Sequence, residues 1–301
     1  STALVALGVS AASADISISG SAKWNYTSAS STGDASGDSF AMNNDLTIAS
    51  SFASDSGLTY GTSHTIDENG TSDDQKMYVK GSFGEVRFGG SGAGADYDTD
   101  AAVTDGESST ATGFSGKAAT NSSSDTRISY FTPSVNGFSA GISLDDAGSA
   151  AGANDDVTEM GAKYTQTVGD ATVTVAYASR DTSAAVGGAN TGSSATSLGA
   201  TITMGDLSVT VAQNTSETDN GSSKGTGAGF GLSYVLAEGL TLKAHTISGE
   251  DDAVASVDNT ETAASLTYVI APGLTANIAY TDSEAGTTTS NATTAYVKVA
   301  F

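Results

Sequence analysis

The residues of this chain that could do chemistry are two sets of charged side chains of opposite sign. Four bases fall on the polar positions of segments in which polar and apolar residues alternate: Lys23, Lys80, Arg87 and Arg127. Five acids follow closely on one long connection: Asp96, Asp98, Asp100, Asp105 and Glu107. Opposite charges facing each other across a narrow opening orient water and small solutes, and they select by size and charge. If the acidic connection folds back toward the bases, these residues form a charged constriction.

Other kinds of site have weaker support. Asp96, Asp98 and Asp100 could hold Ca²⁺, which takes about 6–8 oxygen ligands, but their spacing matches no calcium loop and solvated acids are the better interpretation. His64 and His245 lie too far apart in sequence to form a metal motif, and no Ser/His/Asp constellation is evident. The sequence therefore predicts no cofactor and no catalytic activity, with calcium at the acidic loops kept as an alternative.

Composition limits the possible partners. The 301 residues include 34 acids and 11 bases, for a net charge of −23, and 36 glycines, 2 prolines and no cysteine. Nucleic-acid binding requires a basic footprint, so that class is excluded. A strongly acidic protein attracts cations, and we therefore expect cations to be the favoured mobile partners.

The elements that must position these residues are strands. Period-two segments recur along the chain, separated alternately by tight Gly/Asp or Pro-Gly turns and by long Gly/Ser/Asp-rich connections such as residues 28–43, 90–125 and 283–290. The final segment (NATTAYVKVAF) has one apolar face and ends on Phe301. Counting segments gives about 16 strands, within the range of membrane barrels. The prediction is an all-β transmembrane antiparallel barrel with short periplasmic turns and long extracellular loops.

The first residues are interpreted separately. Residues 1–14 combine an apolar run with a small-residue ending, which is typical of the remnant of an export signal peptide. We therefore expect residues 15–301 to form a single transmembrane β-barrel domain.

Two segments and the terminus resemble a known family. Residues 78–90 (YVKGSFGEVRFGG), the acidic connection, residues 127–144 (RISYFTPSVNGFSAGISL) and Phe301 are similar to the general porins of Gram-negative outer membranes, most of all the alphaproteobacterial branch. The resemblance implies a homotrimer of 16-stranded barrels in lipid and lipopolysaccharide, with loop 3 folded into the pore. It implies passive diffusion of small hydrophilic solutes without catalysis. The strong acidity of the chain and its small number of arginines predict that this channel prefers cations. The resemblance also implies that the outer-membrane assembly machinery reads Phe301.

Two alternatives remain at this stage. A secreted adhesin or surface-layer β protein rich in Gly, Ser and Asp, stabilised by calcium, would share the composition. A substrate-specific barrel would need an aromatic track along its lumen, and within the strands only Tyr78 and Tyr296 take inward positions.

Overall fold

The chain folds into a closed barrel of sixteen antiparallel strands. A computed structural model describes residues 15–32, 36–70, 72–98, 103, 127–145, 156–183, 192–221, 223–251 and 257–301. The strands are β1 (Asp15–Ser31), β2 (Gly37–Ala53), β3 (Thr59–Ile66), β4 (Ser72–Gly81), β5 (Gly84–Gly89), β6 (Arg127–Phe131), β7 (Phe138–Asp145), β8 (Val157–Val168), β9 (Ala171–Thr182), β10 (Ser193–Met204), β11 (Leu207–Thr218), β12 (Lys224–Ala237), β13 (Leu240–Asp251), β14 (Val257–Ala271), β15 (Leu274–Ala285) and β16 (Thr288–Ala300). A short helix, α1 (Ala93–Tyr97), follows β5. The expected signal remnant, residues 1–14, lies outside the described residues.

The barrel closes between its first and last strands. β1 pairs with β2 on one side and with β16 on the other. Beyond the last ladder pair, Gly20 and Phe301 exchange two backbone hydrogen bonds of 3.0 Å each. Every strand therefore has two partners and no edge is left open, as a spanning sheet in lipid requires. The predicted barrel of about sixteen strands is confirmed.

Alternation along each strand separates the two faces of the wall. On β11, Leu207, Val209 and Val211 point outward, whereas Thr210 between them is only 4% exposed. β-Branched and aromatic residues favour strands, and here they form an outward apolar band of the kind that faces lipid. Toward the extracellular end the outward residues become polar, and on β11 they are Gln213, Thr215 and Glu217. We call this upper, outward-facing polar zone of β9–β16 the polar collar.

The connections are shorter than the sequence suggested. At the periplasmic end, Gly169 and Gly205 take positive φ angles of 60° and 56° in tight hairpin turns. At the extracellular end, the long connection expected at residues 283–290 is the turn 286–287, because β15 and β16 continue through Ala285 and from Thr288. Similarly, the connection expected at 28–43 shrinks to 32–36. Long extracellular connections remain at 90–126, 146–156 and 183–192. Within the described residues, no helix has the length and apolar character needed to cross a membrane.

Candidate functional site

The start of loop 3 (residues 90–126) lies inside the barrel. The chain leaves β5 at Gly89, which has a positive φ of 73°, and α1 begins four residues later at Ala93. α1 contacts the inner faces of β6, β7, β8 and β9. The prediction that loop 3 folds into the pore is therefore confirmed for the part of the loop that the structure describes.

α1 packs against a row of glycine and alanine residues on the inner face of the barrel. Gly141, Gly161 and Ala178 lie directly opposite one another on β7, β8 and β9, all on the inner face. The Tyr97 ring packs into this shallow groove and is 6% exposed. A Cβ placed on Gly161 would overlap the Tyr97 ring and would lie 2.7 Å from the Ala93 carbonyl oxygen. Glycine inside a strand therefore marks a close approach of another backbone here.

Polar contacts fix the first turn of α1 against the same wall. The Ala93 N–H donates to Ser143 Oγ at 2.7 Å, and the Ser143 hydroxyl donates to Ser129 Oγ at 2.7 Å. The Gly94 N–H donates to Glu159 Oε2 at 3.1 Å. Two of the backbone donors at the start of α1 are thus satisfied by side chains of the barrel wall.

Arg127 lies beneath loop 3 rather than on the open surface of the lumen. Its Nη2 is 3.3 Å from Glu159 Oε1 and 3.4 Å from Asp145 Oδ2, and its Nη1 donates to the Gly90 carbonyl at 3.2 Å. The Arg127 and Glu159 side chains are 1% and 0% exposed. The sequence placed Arg127 on a basic wall facing the solution, but its charge is compensated and buried, and the residue anchors the loop.

Arg87 and Asp96 come together as the sequence suggested. Arg87 Nη1 is 3.0 Å from Asp96 Oδ2, and Arg87 Nε is 2.9 Å from Glu85 Oε1. The Ser91 hydroxyl donates to the other oxygen of Asp96 at 2.9 Å, and the Arg87 guanidinium lies 4.4 Å from the centre of the Phe131 ring. This guanidinium is therefore held in one orientation, partly open to the lumen, beside the first acid of loop 3.

The other predicted site residues are dispersed. Lys80 lies near the periplasmic end of β4, directly opposite Glu85, and its Nζ is 5.4 Å from the centre of the Tyr78 ring. Lys23 lies on β1, directly opposite Lys298 of β16. Asp98 follows α1 immediately. The remaining predicted acids, Asp100, Asp105 and Glu107, lie outside the described residues, so their position opposite the bases stays a prediction.

A second contact of loop 3 involves another part of the barrel wall, two strands beyond the first. Val103 is 2% exposed and clusters with Ala212 and Ile247. Its backbone lies over Gly231 of β12, where a Cβ would come within 2.8 Å of the Val103 Cα. Tyr97 and Val103, six positions apart in the chain, thus contact β7–β8 and β11–β13 respectively.

A buried polar pair lies beside this second contact. His245, directly opposite Gly231, has its Nε2 3.0 Å from Glu261 Oε1, and both side chains are 0% exposed. Sequence reasoning missed Glu159, Glu261 and the glycines Gly141, Gly161 and Gly231. Inward strand positions of a water-filled lumen usually hold Ser or Thr. A glycine or an acid at such a position is the signal that could have identified these residues.

Metal binding receives no support from the described residues. Among them, no group of three or more His, Asp or Glu side chains is placed to hold a metal ion. Asp96, the first member of the candidate calcium set, already contacts Arg87 and Ser91. The second member, Asp98, is described and the third, Asp100, is not, so calcium binding by this set stays an untested prediction.

Comparison with known proteins identifies the family. The model of the Gram-negative porin family matches residues 1–289. No curated protein matches the sequence significantly. Among solved structures, a loop-deletion mutant of OmpT from Vibrio cholerae has a TM-score of 0.76 at 14% identity, covering 96% of this chain and 99% of that one.

Two further solved structures share the fold. The anion-selective porin from Comamonas acidovorans has a TM-score of 0.74 at 18% identity, covering 96% of this chain and 100% of that one. Salmonella typhi OmpF, in complex with daunomycin, has a TM-score of 0.71 at 14% identity, covering 95% and 98%. The closed barrel and the family match exclude the secreted adhesin that composition alone allowed. The chain belongs to the Gram-negative porin family and is a multi-pass β-barrel of the outer membrane.

Proposed function

We propose that this porin is a water-filled channel for the passive diffusion of ions and small hydrophilic solutes, without catalysis. The observation that carries the proposal is α1, the described start of loop 3, held inside a closed barrel by specific contacts with β6–β9. A polar inner face offers water a continuous path, and a loop fixed within it narrows that path without closing the barrel wall.

The Arg87–Asp96 pair is the proposed centre of the constriction. The two side chains are 13% and 29% exposed, so the pair meets the lumen rather than being enclosed like Arg127 and Glu159. A fixed guanidinium beside a fixed carboxylate produces a local field across the path. We extend the constriction to Lys23 and Lys80 on the wall, and to Asp98, Asp100, Asp105 and Glu107 on the loop, as the sequence suggested.

Cation preference is proposed from the acidic extracellular end. Exposed acids occupy outward positions of the polar collar: Asp181, Glu217, Glu250, Asp258, Asp282 and Glu284. A concentration of negative charge at one mouth raises the local concentration of cations and lowers that of anions. The Comamonas acidovorans porin is described as anion-selective, but its 18% identity supports only the shared fold.

The assembly proposed for this channel is a homotrimer in lipid and lipopolysaccharide. One solved structure of Vibrio cholerae OmpT is described as a trimer form. We also propose that the outer-membrane assembly machinery reads Phe301, which lies at the seam between β1 and β16 and is 60% exposed.

The test is conductance in a planar bilayer. Detergent-extracted, folded protein should produce stepwise openings, and a KCl gradient should give a reversal potential of the sign expected for cations. The same protein unfolded in urea serves as the control and should give no openings. A bilayer that stays silent with demonstrably folded barrels would overturn the proposed function.

A further inference from the structure

His245 and Glu261 form a buried polar pair that the constriction does not use. The Nε2 atom of His245 lies 3.0 Å from Glu261 Oε1, and both side chains are 0% exposed. The two residues occupy inward positions of neighbouring strands, β13 and β14, and the register of these strands brings them together. The pair therefore belongs to the barrel wall, and its contact does not depend on loop 3.

The second ring nitrogen of His245 has no partner. Its Nδ1 is buried and makes no hydrogen bond with any described residue. A carboxylate accepts hydrogen bonds, so Nε2 carries the hydrogen that points to Glu261, and in the neutral ring Nδ1 carries none. Protonation of the ring would place an N–H donor at Nδ1 with no acceptor. An unsatisfied buried donor costs free energy, and it costs more on a charged group.

Val103 of loop 3 lies over this part of the wall. Gly231 is directly opposite His245 on β12, and a Cβ on Gly231 would lie 2.8 Å from the Val103 Cα. Val103 also clusters with Ile247, which is directly opposite Glu261 on β14. Because Val103 is itself only 2% exposed, it helps to shield the pair from the water of the lumen.

Among the described residues, Lys243 is the other charged group that faces this pair. It occupies the next inward position of β13 toward the periplasmic end, opposite Ser233 and Ser265. The inward neighbours on the adjoining strands are uncharged: Gly229 and Ser233 on β12, Ala263 and Ser265 on β14, Ala212 on β11 and Thr281 on β15. The predicted acids of loop 3 closest to Val103 in the chain lie outside the described residues: Asp100, Asp105 and Glu107. Lys243 and Glu261 belong to the wall, so they act on His245 in the same way wherever loop 3 lies.

The protonation of His245 is thus linked to the position of Val103. The ion pair with Glu261 is available to the charged ring in both arrangements, because both residues are fixed in the wall. With Val103 in place, the N–H at Nδ1 has no acceptor, whereas with Val103 displaced a water molecule of the lumen can accept it. The proton therefore binds more tightly in the displaced arrangement, and acid shifts the population toward it.

We propose that His245 is a positioning residue whose protonation releases Val103 from β11–β13 in acid and widens the path. Histidine is the side chain that ordinarily titrates between about pH 5 and pH 8. The chain's other histidine, His64, faces outward on β3, so the anchor of α1 contains none and stays in place over the same range. The effect on conductance rests on the proposed function, whereas the release of Val103 does not require an open channel.

The test measures how fast the thiol of a Val103→Cys variant reacts in folded barrels held in detergent micelles. The chain has no cysteine of its own, so this thiol is the only one present. The reagent is a dipyridyl disulfide, which reacts with thiols in acid as well as at neutral pH. Thr287→Cys, in the exposed turn between β15 and β16, corrects for the pH dependence of the reaction itself. The ratio of the two rates should rise at least about tenfold between about pH 7.5 and about pH 5.

Two histidine variants locate the effect. His245→Gln keeps an N–H donor for Glu261 but takes up no proton, so the rate ratio should stay constant over the same range. His64→Gln is the matched control, because His64 is opposite Ile48 on the outward face, and it should leave the rise unchanged.

Single-channel conductance is the second measurement. The unmodified channel should conduct more current, with more noise, at about pH 5 than at about pH 7.5, and His245→Gln should remove the difference. The same comparison with His64→Gln should show the difference retained.

The outcomes separate the two proposals. A flat rate ratio, or a rise that persists in His245→Gln, would overturn the role of His245, and the persistent rise would assign the response to carboxyl groups. If His245→Gln does not fold, a rise centred below about pH 4.5, where carboxyl groups titrate, would overturn it as well. Open channels with a flat ratio would leave the porin function intact. A silent bilayer with a pH-dependent ratio would overturn the porin function alone.

Discussion

Gly141 and Gly161 lie directly opposite each other on the inner faces of β7 and β8, and Tyr97 of loop 3 fills the space that their missing side chains leave. The position of the loop thus depends on the space left by these two glycines as well as on the contacts that the loop makes. Ala178, 0% exposed on the next strand, extends the same groove.

Gly161→Val should displace α1. The added Cβ would collide with the Tyr97 ring and with the carbonyl of Ala93, which is backbone and cannot rotate away. Overpacking of this kind costs about 1–3 kcal/mol. We expect larger and noisier single-channel conductance with the barrel retained, as measured in planar bilayers and by circular dichroism. Gly37→Ala is the control, because its Cβ would meet no atom within 4 Å. Unchanged conductance in a folded Gly161→Val barrel would contradict the packing argument.

Arg127 and Glu159 should behave as a coupled pair. Removing either partner leaves an uncompensated buried charge, which costs about 3–5 kcal/mol, whereas replacing both by apolar residues costs far less. We expect Arg127→Met and Glu159→Leu each to be strongly destabilising and the double variant to recover part of the loss.

Reversible urea unfolding in lipid vesicles measures this coupling as a double-mutant cycle. Lys224→Met is a matched control that removes an exposed outward base. Additive effects of the two buried substitutions would show that Arg127 and Glu159 act independently.

Asp96→Asn should change selectivity but not stability. The Arg87–Asp96 pair is partly exposed, and such pairs contribute about 1 kcal/mol or less to the free energy of unfolding. Removing the carboxylate leaves the Arg87 charge less compensated in the lumen, so the reversal potential under a salt gradient should shift toward anions. Asp206→Asn, in a periplasmic turn, is the control. A shift of equal size in both variants would place the effect outside the constriction.

Phe301 should contribute to closure through its backbone and to assembly through its ring. Deleting it removes both hydrogen bonds to Gly20, whereas Phe301→Ala keeps them and removes only the ring. We expect the deletion to slow folding into vesicles and Phe301→Ala to fold normally there. In cells, both variants should insert poorly if the aromatic side chain is read during assembly. Normal insertion of Phe301→Ala in cells would show that the aromatic side chain is not read during assembly.

The sequence predicted the barrel, its strand number and the contact of loop 3 with the wall, because lipid imposes a period-two pattern on every membrane-facing segment. It did not predict how far the strands extend. Residues 283–290 contain Ser, Thr, Gly and Glu and look like a loop, yet all but two belong to β15 or β16. Above the membrane both faces of the wall are polar, so hydrophobic alternation no longer marks a strand.

The role of Arg127 could not be read from the sequence for a different reason. Its position on an inward face was correct, but burial depends on Glu159 of β8, Asp145 of β7 and the Gly90 carbonyl converging on it. Those groups are distant in sequence, and only the barrel register brings them together. Arg87 needed no such convergence, because Glu85, Ser91 and Asp96 are all near it along the chain.

The polar collar also forms part of the surface that the barrel exposes on the outside of the cell. Where β15 and β16 join at residues 286–287, the outermost surface is hydrogen-bonded sheet bearing Ser, Thr and carboxylates. An antibody or a phage receptor-binding protein would bind a preformed surface there. Binding would therefore order few residues and cost little conformational entropy. The backbone of these strands is already hydrogen-bonded within the sheet, so a protease would have to break that pairing before it could bind the chain. We therefore expect this hairpin to keep its conformation when another protein binds to it.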